Sequence, residues 1–333
     1  MALNEGGARG AVWLLERGLV AFAAVLVGWA APAAAEYPDR PVRLVVPFTP
    51  GGSPDTTARR IAQRLTEELK QQVVVENRPG AAGNIGAEMV ARSAPDGYTL
   101  MMMANSHVIN PALYRRIGYD VLKDFTPICL VLRGASMMVV PAGSPAKTVK
   151  EFVDLAKAEP GKLNFGSGGA GSPAHLAAEA FRQATGIDYI HVPYKGAPEI
   201  VRALLSDQVQ VGFPTFETAL GQVQQQTLRA LATTGAKRSR LLPDTPTLLE
   251  ALPDGFSLEG WLGIVAPAGT PPAVTQAIVT AMAKALKDPT FREKLESGGS
   301  DIDFRPGPDF GAILPGELVK WRKLVESVGA KVE

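Results

Sequence analysis

The amino-acid sequence predicts an α/β protein built from two lobes that are joined by two crossing strands, with a ligand cleft between the lobes. Three observations lead to this prediction. Short apolar runs alternate with segments whose apolar residues recur at helical spacing, which is typical of a sheet covered by helices. The alternation stops near residues 137–145 and then begins again as a second series. Each series contains the same glycine-rich turn followed by Ser-Pro.

The first series begins with the apolar run Val42–Phe48, which ends at a Pro-Gly-Gly turn and predicts a strand. A helix is expected next, because Ala58, Ile61, Leu65 and Leu69 repeat at intervals of three to four residues. The pattern continues with two strands and a helix, at Val73–Glu76, Tyr98–Met103 and Ile85–Arg92. We expect these strands to form a mostly parallel sheet.

The second series repeats the arrangement, with helices predicted at Val149–Ala158, Pro173–Thr185 and Pro198–Leu205. Strands are predicted at Leu163–Phe165, Tyr189–Val192, Val209–Phe213 and Leu228–Thr233. An apolar strand then leads to two terminal helices, at Ser257–Pro267, Pro272–Lys287 and Pro308–Val328. Because those helices can return to the first sheet, we assign residues 36–137 and 255–333 to lobe 1 and residues 138–254 to lobe 2.

Residues 1–35 have the pattern of a secretory signal peptide. Two arginines, Arg9 and Arg17, precede the apolar run Gly18–Ala30, and Ala33–Ala35 supplies the small residues of a cleavage site. A membrane anchor is the alternative, but a spanning helix needs about 20 apolar residues. The sequence therefore predicts cleavage after Ala35 and export to the periplasm.

Composition narrows the function further. Removing 35 of the 333 residues leaves 298, which suits two lobes better than one core. The formal net charge of +1 argues against a nucleic-acid partner. The single cysteine, Cys129, lies in an apolar run and is expected to be buried. It lies far from the cleavage site, so a lipid anchor on a cleavage-site thiol is excluded.

Two glycine-rich loops share one order of residues. The first, Pro50-Gly51-Gly52-Ser53-Pro54, follows the first strand, and the second, Gly166-Ser167-Gly168-Gly169-Ala170-Gly171-Ser172-Pro173, follows the strand Leu163–Phe165. Serine is a preferred helix N-cap and proline fits the next position. Ser53 and Ser172 are therefore predicted to cap the helices that follow, and the glycines allow close approach of the backbone to a ligand.

Each loop should present backbone N–H groups at a helix N-terminus, where anions bind. A helix end contributes about 0.3–1 kcal/mol and a charge-assisted hydrogen bond about 1.5–3 kcal/mol. Micromolar affinity requires about 8 kcal/mol, so two loops with a few bonds can hold a small carboxylate without a buried arginine. Ordinary strand–helix turns are the alternative reading, but the recurrence of the pattern in both lobes favours binding.

The sequence gives little support to enzymatic chemistry. Gly166–Gly171 matches G-x-G-x-x-G, but the loop holds four glycines and Asp188 precedes the next strand instead of ending it. No G-x-S-x-G pattern surrounds Ser53, Ser167 or Ser172. No histidine pair has the spacing of metal ligands. We therefore expect no enzymatic activity, no cofactor and no metal.

Two of the three histidines, His175 and His191, have other expected roles. His175 stands at the third position of a predicted helix and can face either the ligand or the solvent. His191 lies in a predicted strand and is expected to be structural.

Longer segments of the chain resemble the Bug family, the receptors of tripartite tricarboxylate transporters. They are Glu36–Val42, Val46–Ser53, Val75–Gly86, Ala94–Leu100, Ile109–Tyr114, His191–Gly196, Leu228–Ala232 and Ala266–Pro271. The resemblance implies a type II periplasmic-binding-protein fold that closes on its ligand like a flytrap. It also implies a ligand such as citrate, another dicarboxylate, an acidic amino acid, nicotinate or an aromatic acid.

In this family backbone groups and bridging waters of the two loops hold the ligand carboxylate. The resemblance therefore implies a site formed by Pro50, Gly51, Gly52, Ser53, Ser167, Gly168, Gly171, Ser172 and His175. Members that bind amino acids look to have an aspartate after the strand matching Val209–Phe213, where this chain has Pro214 and Thr215. These two residues are expected to form an uncharged wall of the site, which favours an aromatic or aliphatic carboxylate over an amino acid.

The resemblance implies two partners, a small carboxylate ligand and the membrane permease subunits of a tripartite tricarboxylate-type transporter. We expect a monomer. Two other functions stay open at this point: a receptor that reports its ligand to a membrane sensor or regulator, and an exported hydrolase.

Overall fold

The structure, a computed structural model, describes residues 37–169 and 171–327 together with Gly329. The predicted signal peptide and its cleavage site lie outside these residues. Within the described part of the chain, no helix has both the length and the apolar character that crossing a membrane requires. The same part contains no cluster of three or more His, Cys, Asp or Glu residues placed to hold a metal ion.

The strands of the described chain belong to two sheets. They are β1 Val42–Val46, β2 Val73–Asn77, β3 Thr99–Ala104, β4 Phe125–Ala135, β5 Met137–Pro141, β6 Asn164–Ser167, β7 Ile190–Pro193, β8 Val211–Gly212, β9 Leu228–Thr233, β10 Glu259–Pro267 and β11 Ser300–Pro306. The first sheet has the order β11-β4-β10-β3-β1-β2 and the second the order β7-β6-β8-β5-β9.

Both sheets are mixed. In the first, β1 pairs in parallel with β2 and β3, whereas β10 is antiparallel to β3 and β4, and β11 to β4. In the second, β6 is parallel to β7 and β8, and β5 is antiparallel to β8 and β9. The prediction of a mostly parallel sheet is therefore wrong. The cause is the crossing chain: β4 leaves the first sheet and β10 re-enters it, so these neighbours run in opposite directions.

The helices are α1 Ser53–Leu69, α2 Asn84–Ala91, α3 Ser106–Leu113, α4 Val149–Ala158, α5 Pro173–Thr185, α6 Ala197–Leu205, α7 Phe216–Gln224, α8 Leu248–Ala251, α9 Pro272–Ala285, α10 Pro289–Glu296 and α11 Gly307–Ser327. The helical spacing of α1 has the expected effect, because Ala58, Ile61 and Leu65 are buried against the first sheet. The predicted bounds of α4 and α5 are confirmed.

Two crossings connect the sheets. The first is the single residue Ser136 between β4 and β5, and the second is the segment between β9 and β10. They are tied together at Thr234, whose N–H donates to the Ser136 carbonyl at 2.9 Å and whose hydroxyl donates to the Leu258 carbonyl at 2.6 Å. The Ser136 N–H in turn donates to the Thr234 hydroxyl at 2.9 Å. The predicted pair of crossings is thus confirmed, whereas the residue limits of the lobes stay a prediction.

Each sheet has a core of its own, and we call the first sheet with its helices lobe 1 and the second lobe 2. Val139, Phe165 and Phe213 lie in the core of lobe 2. The core of lobe 1 contains Trp261 and Trp321. The predicted fold, two α/β lobes joined by two crossings, is confirmed. Cys129 is fully buried in lobe 1 as expected, and burial raises the pKa of its thiol to about 12.

Candidate ligand-binding site

A cavity of about 220 Å³ lies between the two lobes. Lobe 1 contributes, among others, Phe48, Ser53, Asn105, Ser106, Trp261 and Trp321 to its wall. Lobe 2 contributes Pro173, Ala177, Thr215 and Phe216. The cavity therefore occupies the predicted cleft.

Four helices begin at this cavity. Its lining includes the first residues of α1, α3, α5 and α7, which are Ser53, Ser106, Pro173 and Phe216. A helix N-terminus carries unsatisfied N–H groups and a partial positive charge. The lining residues that the structure describes include no Lys, Arg or His and one carboxylate, Glu259, so within this lining positive charge comes from the helix ends. Such an arrangement can hold an anion without a cationic side chain.

The first glycine loop is held by Asp55. This carboxylate accepts the Gly51 N–H at 2.9 Å and the Asn77 amide at 2.8 Å. Burial alone would raise the pKa of Asp55, but the hydrogen bonds from Arg59, Gly51 and Asn77 outweigh burial and hold that pKa below its ordinary value. The Gly51 N–H therefore points at the protein's own carboxylate. Gly51 has φ +86°, a conformation that strongly favours glycine.

The predicted cap at Ser53 is wrong. Helix α1 includes Ser53 as its first residue, the N-cap position is Gly52, and no side chain of the described residues caps this end. Asp55 ties down the loop instead, which leaves the Ser53 hydroxyl available at the cavity wall. Gly52 itself has φ −82°, so its backbone does not require glycine.

In the second loop the predicted cap is confirmed. The Ser172 hydroxyl accepts from the His175 N–H at 3.2 Å. The His175 ring returns to the loop, where its Nδ1 accepts the Gly171 N–H at 2.9 Å. His175 therefore faces neither solvent nor cavity but stabilises the loop, and burial lowers its pKa to about 4.

A second histidine lies beneath the same loop. The His191 ring stacks on His175 with a centroid distance of 4.2 Å. Its Nε2 is 2.5 Å from the Ser167 hydroxyl, which also accepts the Gly169 N–H at 3.1 Å. The structural role predicted for His191 is thus confirmed, and burial lowers its pKa as well.

The cavity collects only part of the predicted site. Ser53 and Thr215 line it. Pro50, Gly51, Gly52, Ser167, Gly168, Gly171, Ser172, His175 and Pro214 do not belong to the described lining. Of these, Pro214 accepts the Met137 N–H at the first crossing, at 2.9 Å. Gly171 packs directly on Leu113 of lobe 1, because a β-carbon there would overlap the leucine side chain.

The walls of the cavity are mainly apolar, and two paired glycines belong to its lining. The indole N–H groups of Trp261 and Trp321 both donate to Glu317 Oε2, each at 2.9 Å, so these donors turn away from the cavity. Gly134 of β4 pairs with Gly260 of β10, and both line the cavity. Gly260 has no side chain to fill this space, whereas at Gly134 the Ser300 hydroxyl already lies where a side chain would begin.

Five polar residues of the lining were not predicted from the sequence: Asn105, Ser106, Ser136, Glu259 and Ser300. Asn105 and Ser106 stand at the start of α3, a helix that was not predicted. Their signal was the Asn-Ser pair after the strand β3, since both residue types are common at helix starts. Glu259 also lines the cavity, and its Oε1 accepts the Ala236 N–H at 3.3 Å.

The lobes touch at the rim of the cavity. The Thr56 hydroxyl of lobe 1 donates to Glu217 Oε1 of lobe 2 at 2.5 Å, and Arg60 lies 4.0 Å from the same carboxylate oxygen. On another side, Leu176 of α5 packs into the lobe 1 core beside Leu113. The structure therefore describes lobes that are in contact around the cavity.

A two-lobed α/β fold with a cavity between its lobes is the architecture of periplasmic solute-binding proteins. Comparison with known families gives the particular member of that class. Residues 57–330 match the model of the tripartite tricarboxylate transporter family receptor. The chain therefore belongs to this family, whose members are periplasmic receptors.

Individual relatives agree with this assignment. The chain is 33% identical to protein BugT of Bordetella pertussis over 309 residues, which cover 92% of this chain and 95% of BugT. The structure of Rpa4515 from R. palustris with adipate has 33% identity and a TM-score of 0.84, covering 89% of this chain and all of that one. MatC of Rhodopseudomonas palustris with bound malate has 29% identity and a TM-score of 0.78, covering 87% and 100%. The predicted Bug-family resemblance and type II fold are confirmed.

Proposed function

We propose that this receptor captures a small organic acid in the cavity between its lobes and delivers it to the permease subunits of a tripartite transporter. One observation carries the proposal: the starts of four helices meet at one cavity whose described lining has no cationic side chain. Helix ends favour carboxylate over neutral groups. The acids bound to Rpa4515 and MatC, adipate and malate, support the same ligand class.

The size of the cavity supports a ligand of about nine non-hydrogen atoms. An apolar cavity of about 150 Å³ holds benzene, which has six, and the cavity here measures about 220 Å³. The apolar walls favour a hydrocarbon portion in the ligand. An aliphatic or aromatic acid of this size meets both conditions.

In the proposed complex, the ligand carboxylate lies against Ser53 and Thr215. The remaining predicted residues support the two loops: Pro50, Gly51 and Gly52 shape the first, and Ser167, Gly168, Gly171, Ser172 and His175 shape the second. Pro214 fixes the turn that precedes Thr215. The wall at Pro214 and Thr215 carries no charge, so aspartate should bind more weakly than succinate, which lacks the ammonium group.

A thermal-shift screen over small acids tests the proposal. A ligand that binds only the folded protein raises its stability by RT ln(1 + [L]/Kd). At a hundred times Kd this is about 2.7 kcal/mol, which is a shift of several degrees. Acids of seven to eleven non-hydrogen atoms should shift the melting temperature in a concentration-dependent way. Absence of any shift across such a panel would count against the proposed ligand class.

The finer parts of the proposal concern the removal of the signal peptide, the oligomeric state and the lack of enzymatic activity. The mature protein begins at Glu36, acts as a monomer and performs no chemistry on its ligand. In support of the last point, Ser167 is hydrogen-bonded to His191 but is fully buried, so this Ser–His pair cannot reach a substrate. N-terminal sequencing of protein from the periplasm should read Glu36 first. Sedimentation should give one monomeric species, and ester substrates should not be turned over.

A further inference from the structure

Two polar groups on the lobe 1 wall of the cavity lack a hydrogen-bond partner among the described residues. They are the amide Nδ2 of Asn105 and the hydroxyl of Ser106. Asn105 is 5% exposed and Ser106 is 9% exposed, and both line the cavity. Because a buried polar group without a partner is costly, most such groups in folded proteins have one. These two are therefore placed to bind something that enters the cavity.

The surroundings of Asn105 define what that partner is. Its backbone carbonyl accepts from Val108 and Ile109 at the start of helix α3, and its side chain makes no capping hydrogen bond to this helix. Its Oδ1 faces Gly260 of β10, 3.4 Å from the position that a β-carbon would occupy there. An amide nitrogen can only donate. The partner must therefore carry a hydrogen-bond acceptor, and in an organic acid that acceptor is an oxygen.

We propose that Asn105 and Ser106 bind a second oxygen-bearing group of the ligand, separate from the carboxylate at Ser53 and Thr215. This inference rests on the proposed function. In the first sheet β3 lies between β1 and β10. Asn105 follows β3 and turns toward β10, whereas Ser53 follows β1, so the two positions lie on different sides of β3.

The ligand is thus bifunctional. It has a carboxylate, an apolar middle against Trp261 and Trp321, and a second oxygen group at Asn105. With about nine non-hydrogen atoms, a diacid or hydroxy acid of five or six carbons fits this description.

Replacement of Asn105 by leucine separates a ligand-binding role from a structural one. Leucine has the same branching and the same number of non-hydrogen side-chain atoms as asparagine and removes the unpartnered amide, so the ligand-free protein should melt at the same temperature or higher. A structural hydrogen bond would instead be lost, and the melting temperature would fall. Ser106→Ala gives a second variant with the same expectation and a smaller change in shape.

The experiment compares straight-chain monoacids and diacids of equal length, from four to eight carbons, by calorimetric titration. Wild type should bind the best diacid at least tenfold more tightly than its matched monoacid. Asn105→Leu should bring that ratio close to one, while changing monoacid affinity less than about threefold. Asn164→Leu serves as the control, because its amide donates to the Gln208 carbonyl in lobe 2 at 3.3 Å, outside the cavity lining. This variant should keep the wild-type ratio.

Three results would overturn the inference. Wild type could bind monoacid and diacid equally, Asn105→Leu and Ser106→Ala could weaken both acids alike, or both variants could melt at lower temperature without ligand. Each of these leaves the proposed function standing. Failure of every acid to bind wild type contradicts the proposed function itself. Asn105 and Ser106 would then have no acid ligand to bind.

Discussion

One added methyl group on the cavity floor should weaken ligand binding and leave the fold intact. A β-carbon built at Gly260 comes closest to Asn105 Oδ1 at 3.4 Å and the Gly134 carbonyl at 3.8 Å, which are ordinary contacts. Gly260→Ala therefore requires no backbone movement. Gly134, the partner across the strands, is unsuitable because a β-carbon there would lie 2.6 Å from the Ser300 hydroxyl.

The two expected effects of Gly260→Ala have opposite signs. The methyl group takes the space of about one in nine ligand atoms, and one misplaced methylene in an apolar pocket costs about 1–3 kcal/mol, or 10- to 200-fold in affinity. Glycine in a strand is less stable than alanine by about 0.5–1 kcal/mol. Affinity should therefore fall at least tenfold, while the free energy of unfolding stays the same or rises.

Calorimetric titration and urea unfolding of the same samples measure both effects. The matched control is Gly221→Ala in α7, where a β-carbon meets no described atom within 4 Å. This variant should gain up to about 1 kcal/mol in stability and keep the wild-type affinity. If Gly260→Ala folds normally and binds as wild type does, the reasoning that places the ligand in this cavity is refuted.

Further expectations concern the backbone of the first loop, the dependence of stability on pH and the side chain of Glu259 in the cavity wall. Gly51→Ala should lower the free energy of unfolding by about 1–2 kcal/mol, because φ is +86°, whereas Gly52→Ala, at φ −82°, should be neutral; equal effects in urea unfolding would contradict the assignment. Burial lowers the pKa of His107 and of His175 from 6.5 to about 4, so the unfolded chain binds more protons between these pH values. Stability should therefore fall as the pH drops from 6.5 to 4, by up to about 3 kcal/mol for His107 alone, and a flat melting profile would contradict this. Glu259→Gln should tighten acid binding a few-fold, because it removes a like charge from the cavity wall; weaker binding in titration would show that Glu259 contacts a donor on the ligand.

Much of the fold followed from hydrophobic periodicity. Strand β9 and helices α4 and α5 have the predicted bounds, because long, regular apolar patterns lie between clear caps and turns. Most of the elements that were missed are short or polar, but the long apolar strand β4 was also not predicted. Helix α3 has eight residues and contains Pro111, and β11 is an edge strand that includes Asp301 and Asp303. Antiparallel pairing of β4 and β10 was also missed, since it depends on where the chain crosses between lobes.

The candidate site was only half visible in the sequence. The shared Gly-Ser-Pro pattern located both loops, but it suggested the same cap for each. The loops differ because Asp55 and Asn77, 22 residues apart, meet beneath the first loop, whereas His175 lies beneath the second. Such contacts join distant parts of the chain, and no local pattern encodes them. The cavity position of Asn105 was hidden for the same reason.

The central claim is that helix ends at the cavity bind a carboxylate. Calorimetric titration of the wild-type protein with an acid and its matching amide tests this claim most directly, because the two differ little in size. The acid identified by thermal shift should bind at least tenfold more tightly than the amide. This ratio of affinities should become smaller as the salt concentration is raised. Equal affinity for the acid and its amide would contradict the account.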